Sequence, residues 1–308
     1  MKLEFVSLLA TDKLALPALL YTPDKPTTRV TVWLHGMGDN GIFYKSTMMN
    51  ALGASLTARG IAFLAFNNRG AHGSKHLKIA DEAVPEADRD YQGGTYYERI
   101  TDCAMDITGA VEFLEERGFT TLYLAGHSSG ANKICAYDHR QPKSPFEKYV
   151  LAGPGDDTGL YFQQLGPKKF WRAARLAAKK ASKDPFYILP KYSGMHPFSA
   201  QSAWDILNPD GDYNTFPYYE ATQERLGEKP LFQEYHAITT KSLVIIGEHD
   251  EYAITAGGTR QALDLFMKYT SNAMLKYNDF MIMPDTDHSF HGHEVAFAEH
   301  VSDWLTDV

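Results

Sequence analysis

The stretch Leu122-Tyr-Leu-Ala-Gly126-His127-Ser128-Ser129-Gly130 constrains this chain more than any other. A short apolar run leads straight into Gly-x-Ser-x-Gly, and a helix-compatible sequence follows. A strand that bends this sharply into a helix tolerates only small residues two before and two after the serine. Gly126 and Gly130 shape that elbow and leave Ser128 at its tip. The serine also opens a helix, where free backbone N–H groups and the helix dipole favour negative charge. The segment therefore predicts a strand–turn–helix unit that presents a serine nucleophile for acyl transfer through a covalent intermediate.

The rest of the chain supplies a sheet to hold that unit. Residues 3–9 and 14–21 read as strands around an Asp12-Lys13 turn, and 29–34 and 61–66 as buried β-branched or apolar strands. A helix is expected over 43–59, closed by Gly60, and another over 95–117, closed by Gly118. Between them, 71–94 reads as a polar loop. Strands over 121–125, 149–152, 242–246 and 280–283 alternate with helices over 129–140, 255–270 and 293–306. Such alternation predicts an α/β fold, a doubly wound, mostly parallel sheet with helices on both faces. The rhythm fails over 156–237, which is rich in aromatics and prolines. That segment is expected to be an inserted, mainly helical cap on a core of residues 1–155 and 238–308.

Composition narrows the function classes. The net charge of −8 argues against a nucleic-acid binder, which needs a basic excess to track phosphates. No apolar run reaches the length of a membrane span, and Glu4 breaks the first residues, so no signal peptide is expected. Cys103 and Cys135 are the two cysteines and form no CxxC; they read as free thiols in a reducing cytoplasm.

A serine nucleophile needs a base, a group that orients the base, and donors for the oxyanion. In wound sheets these come from loops at the carboxyl ends of strands. The strand ending at Gly247 runs into Glu248-His249-Asp250, which makes Asp250 the candidate orienting carboxylate. The last strand is followed by Asp287-His288, and His288 is the candidate base. The chain order Ser, Asp, His suits this architecture. After the first parallel strand, His35-Gly36-Met37-Gly38 places the Met37 N–H to join that of Ser129 as the oxyanion pair.

These residues carry a resemblance. With His35-Gly36, Arg69-Gly70-x-x-Gly73, Gly-His-Ser128-Ser-Gly, Asp250 and His288, the chain resembles an α/β-hydrolase over nearly its whole length. It is also similar to a capped group of bacterial, fungal and plant hydrolases that includes fungal siderophore esterases. The carriers are Gly93-Gly94-Thr-Tyr-Tyr-Glu98, Asn132-Lys133, Lys183-Asp-Pro-Phe-Tyr-Ile-Leu-Pro190 and Asp287-His288-Ser-Phe-x-Gly292-His-Glu294. The resemblance implies a serine-dependent esterase or amidase acting on a small ester or acyl substrate, with no cofactor and no metal. It fixes neither the substrate nor the oligomeric state.

Rival readings attach to several of these residues. Glu248 and Glu251 compete with Asp250, and His291 and His293 with His288; each reads better as a solvated surface group. His127 reads as a packing residue rather than a second base. The grouping His288, His291, His293, Glu294 lacks the spacing of a helical His-Glu-x-x-His metal site. Gly36-x-Gly38-x-x-Gly41 imitates a dinucleotide fingerprint, yet Asn67-Asn68-Arg69 stands where a ribose-binding acid belongs. Only Arg69 could then meet an NADP 2′-phosphate. The basic run Lys168, Lys169, Arg172, Arg175, Lys179, Lys180, Lys183 reads as a solvated helix face. The aromatics Tyr161, Phe162, Phe170, Trp171, Phe186, Tyr187, Tyr192, Phe198 and Trp204 are expected mostly to form the cap's own core, with a few lining the pocket. The same machinery serves acyl transfer, lactone opening and carbon–carbon bond hydrolysis, and outside catalysis the fold serves as a ligand receptor.

Overall fold

The computed structural model describes residues 1–38, 41–141, 143–191 and 195–307. β1 (Lys2–Leu9) and β2 (Ala15–Thr22) form an antiparallel hairpin. β3 (Arg29–Leu34) and β4 (Ala62–Phe66) are parallel neighbours, and β2 closes antiparallel onto β4. Residues 71–94 depart from the polar loop expected. They contain β5 (Lys75–Lys78) and β6 (Asp90–Gly93), a separate antiparallel pair. Strands of four mostly charged or polar residues have no apolar alternation to announce them.

The main sheet continues in parallel through β7 (Thr121–His127), β8 (Phe146–Ala152), β9 (Lys241–Gly247) and β10 (Asp279–Met283). Among the described residues its eight strands run in the order β1-β2-β4-β3-β7-β8-β9-β10. This is the wound, mostly parallel sheet that the alternation predicts. β4 is buried at every position, the pattern of a strand covered on both faces. α1 (Ser46–Ala58) and α10 (Glu294–Thr306) cover one face, around Leu52, Phe297 and Val301. α2 (Cys103–Glu116), α3 (Ser129–Asp138) and α9 (Gly258–Tyr269) cover the other, around Ile107, Ile134 and Phe266. The helix expected from residue 95 begins as a single 3₁₀ turn at Ile100–Asp102. Thr95 is instead drawn into loop hydrogen bonds.

Among the described residues, five helices lie between β8 and β9. α4 (Asp157–Leu165) starts at Asp156, whose side chain accepts the Gly159 N–H at 2.7 Å. It stops at Gly166, where a φ of +72° suits glycine, and Pro167 opens α5 (Pro167–Ala181) at once. α6 (Ala200–Leu207) is capped by the Ser199 hydroxyl. These three helices pack around Phe162, Phe170 and Phe198 in a cluster that Ile100, Ala136 and Tyr219 join. α7 (Tyr218–Thr222) and α8 (Gln233–His236) behave differently, because Phe216, Tyr218, Phe232 and Tyr235 pack with Phe266 in the core of the sheet.

Along α5, Phe170, Ala173, Ala174 and Ala177 are buried while Lys168, Lys169, Arg172, Arg175 and Lys179 are exposed, an amphipathic helix with a solvated basic face. Phe186, Tyr187 and Trp204 do not enter a core: they are 48%, 37% and 36% exposed. Tyr192 lies outside the described residues. Cys103 and Cys135 are buried free thiols on α2 and α3. Among the described residues no helix is long and apolar enough to cross a membrane.

Candidate active site

β7 ends in the elbow. Ser128 has φ +57° and ψ −128°, a conformation that side chains other than glycine rarely take. Its N–H donates to the Ala152 carbonyl at 2.9 Å, which ties the tip to the end of β8. A Cβ at Gly126 would run into the Gly130 carbonyl, and one at Gly130 into the Leu34 carbonyl at the end of β3. Both glycines are therefore required by close approach. Ser129 is the first residue of α3, so its N–H belongs to the turn that has no intrahelical acceptor.

The parallel register of β9 and β10 pairs Gly247 with Met283, so both following loops leave one edge of the sheet together. The His249 N–H donates to the Thr286 carbonyl at 2.8 Å, and Gly247 lacks the Cβ that would strike the Thr286 and Asp287 carbonyls. The result brings His288 Nδ1 to 2.9 Å from Asp250 Oδ1. Asp250 Oδ1 also accepts the Tyr252 N–H at 2.9 Å. Both side chains are buried, Asp250 at 6% and His288 at 5% exposure, so solvent screens their bond little. Burial resists charge on His288. The hydrogen bond and charge of Asp250, followed by the charges of Glu251 and Asp157, outweigh it and lift the imidazole above its ordinary pKa.

The backbone of His288 is clamped from two sides. Its N–H donates to Glu251 Oε2 at 3.3 Å, and its carbonyl lies 2.8 Å from His127 Nε2. Burial first, and the neighbouring His288 second, push His127 down to about 3. His127 is therefore neutral, and its carbonyl partner places the proton on Nε2. Sequence reading gave His127 a packing role only. Its place beside the nucleophile was the one available hint of this contact.

Ser128 and His288 line one cavity of about 250 Å³, together with Met37, Asp157, Tyr161 and Tyr252. No hydrogen bond joins Ser128 Oγ to His288 among the described residues, although both side chains face that space. Of the rivals, Glu251 is exposed as expected but lines this same cavity, and the other three lie elsewhere. Glu248 is exposed and accepts the Asp285 N–H at 3.0 Å; His291 is exposed and bonds Asp287 at 2.7 Å; His293 stands at the start of α10. An exposed trio, Glu248, His249 and Asp285, has ligand atoms within 4.8 Å of one another and shares no residue with the histidine grouping weighed above.

The loop carrying Met37 is braced from behind. The Gly38 N–H donates to Thr95 Oγ1 at 2.7 Å, and the Thr95 hydroxyl donates to the Gly70 carbonyl at 2.7 Å. Arg69 is 2% exposed and is held by Asp106 through Nε at 2.9 Å and a second guanidinium nitrogen at 2.8 Å. A guanidinium so enclosed cannot reach a 2′-phosphate, which removes the NADP reading of the glycine run. Nearby, Lys133 and Glu98 form a buried ion pair at 2.8 Å. Neither Thr95 nor Asp106 stood out in the sequence, because their roles arise only from the folding of distant loops.

A wound parallel sheet with a serine elbow at the end of a central strand defines the class: this is an α/β-hydrolase. Residues 25–270 match the family model Hydrolase_4, described as serine aminopeptidase, S33, and the chain belongs to that family. Comparison with curated protein sequences gives no match. Among solved structures, Est1E from Butyrivibrio proteoclasticus is similar with a TM-score of 0.59 at 15% identity, over 98% of this chain and 97% of that one. A monoacylglycerol lipase from Paleococcus ferrophilus is similar with a TM-score of 0.57 at 15% identity, over 99% and 98% of the two chains. The carboxylesterase CesB from Bacillus subtilis gives 0.53 at 17% identity, over 99% and 90%. At such identities the likeness speaks of the fold.

Proposed function

We propose that the protein is a serine hydrolase that cleaves a carboxylic ester, or a related amide, thioester or lactone, through an acyl-enzyme. The Asp250–His288 bond of 2.9 Å, opening onto the cavity that holds the strained Ser128, carries this reading. In the reaction, Ser128 Oγ attacks the substrate carbonyl carbon while His288 Nε2 takes the hydroxyl proton. Asp250 keeps the ring proton on Nδ1 and stabilises the imidazolium. The N–H groups of Met37 and Ser129 receive the tetrahedral oxyanion, and one such donor is worth about 10²–10³ in turnover. Collapse expels the alcohol with the proton from His288. Water, deprotonated by the same ring, then releases the acid. The three-helix cluster of α4–α6 serves as a cap, since Asp157 and Tyr161 on α4 line the same cavity as Ser128. Buried free thiols suit a cytoplasmic setting. The names of similar structures, a carboxylesterase and a monoacylglycerol lipase among them, point the same way.

The test is a panel of p-nitrophenyl esters with Ser128→Ala as control. Wild-type protein should release nitrophenolate and the variant should lose about 10⁴-fold or more of kcat, with an unchanged melting temperature. Equal turnover by the two proteins would remove Ser128 from the chemistry.

A further inference from the structure

The cavity around Ser128 carries fixed charge of one sign. Asp157 and Glu251 line it, and no lysine or arginine stands among its described lining residues. The basic face of α5 contributes nothing to this wall. Asp157 is half-buried at the start of α4. Its Oδ2 accepts the Tyr213 hydroxyl at 2.7 Å, while Oδ1 takes no hydrogen bond among the described residues. A half-buried carboxylate with one oxygen open and no lysine or arginine partner is placed to receive a ligand cation from the cavity.

Two aromatic rings stand beside it. Tyr161 and Tyr252 share the cavity wall, and Tyr252 packs on the His288 ring with centroids 4.4 Å apart. Burial first, and the Asp157 charge second, raise both phenols, and all three residues line the one cavity. Burial also pushes Asp157 itself up, while the Tyr213 hydroxyl and the imidazoles of His288 and His196 pull it back. A ligand cation would act in the same direction as those imidazoles. Aromatic rings beside a carboxylate that has no lysine or arginine partner are surroundings suited to an ammonium group.

We infer that the substrate carries an ammonium group, seated against Asp157 and the rings of Tyr161 and Tyr252, with Glu251 adding to the field. The inference rests on the hydrolase reading only in taking this cavity as the substrate's place. It selects cationic esters over neutral esters of the same shape, and selects against anionic ones.

Matched substrates test it. The p-nitrophenyl ester of 4-trimethylammoniobutyrate is compared with that of 5,5-dimethylhexanoate, which replaces nitrogen by carbon, and with p-nitrophenyl hemiglutarate, which is anionic. Acetylcholine and 3,3-dimethylbutyl acetate form the corresponding pair on the alcohol side. In at least one pair, kcat/KM for the cation should exceed that of its isostere by about tenfold or more, and the anionic ester should be the slowest. Asp157→Asn should bring that ratio close to one, and Glu251→Gln should lower it in part, with melting temperatures recorded for both. Equal rates within both pairs, or a ratio untouched by Asp157→Asn in a folded variant, would overturn the inference and leave the esterase reading standing. If the wild type turns over no ester, that reading fails by itself. Calorimetry with choline and 3,3-dimethylbutanol then decides the charge claim: choline binding abolished by Asp157→Asn supports it, and equal or absent binding overturns it.

Discussion

The cavity has two walls of different origin. One is made by loops at strand ends, with Met37, Ser128, Glu251 and His288; the other is made by α4 and its neighbours, with Asp157, Leu160 and Tyr161. The strand-end wall is fixed by backbone constraints that leave almost no choice of residue. Glycines at 126, 130 and 247 are demanded by carbonyls that a Cβ would strike, and the β9–β10 register sets where Asp250 and His288 meet. The helical wall is fixed by aromatic packing around Phe162, Phe170 and Phe198, which many sequences could supply. In the proposed reaction the first wall holds the chemistry, and the second is free to set which molecule reaches it.

Substitutions can break that division. Asp250→Asn leaves the shape of the strand-end wall but misplaces the ring proton of His288. The expected loss is about 10³–10⁴ in kcat with little change in KM, read by steady-state kinetics on any accepted ester. A loss in KM alone would move Asp250 from the chemistry to substrate binding. His127→Phe removes the donor to the His288 carbonyl while filling similar space. It should lower kcat by roughly tenfold to a hundredfold and stability by about 1–3 kcal/mol, read by kinetics and by urea unfolding. Wild-type kcat in that variant would return His127 to packing alone.

A smaller effect lies in pH. The proposed base, His288, works only when neutral, so kcat/KM should fall as pH drops through its pKa, which neighbouring carboxylates hold above the ordinary histidine value. Glu251→Gln deletes one of those charges. The acid limb of the kcat/KM profile should then move to lower pH, and a limb that stays in place would show that Asp250 alone sets it.

Legibility followed the same division. The elbow, the meeting of Asp250 with His288, and the wound sheet could be read because tight turns and strand ends write themselves into local sequence. Asp157 could not. It follows Asp156 directly, and two adjacent aspartates before a helix read alike. Only the backbone decides that Asp156, at φ −108°, caps α4 while Asp157 lines the cavity. The β5–β6 pair was hidden for a related reason: its strands are mostly polar, and only Leu77 and Tyr91 reach the core, too few to form an apolar alternation.

The central claim is that the hydroxyl at the tip of the β7–α3 turn becomes the covalent nucleophile. Incubation with a fluorophosphonate, followed by intact mass and peptide mapping, tests it most directly. One adduct per chain on Ser128, slowed at least a hundredfold by His288→Ala, is the predicted result. Adduct formation on another residue, or on Ser128 at the same rate without the imidazole, would contradict the account.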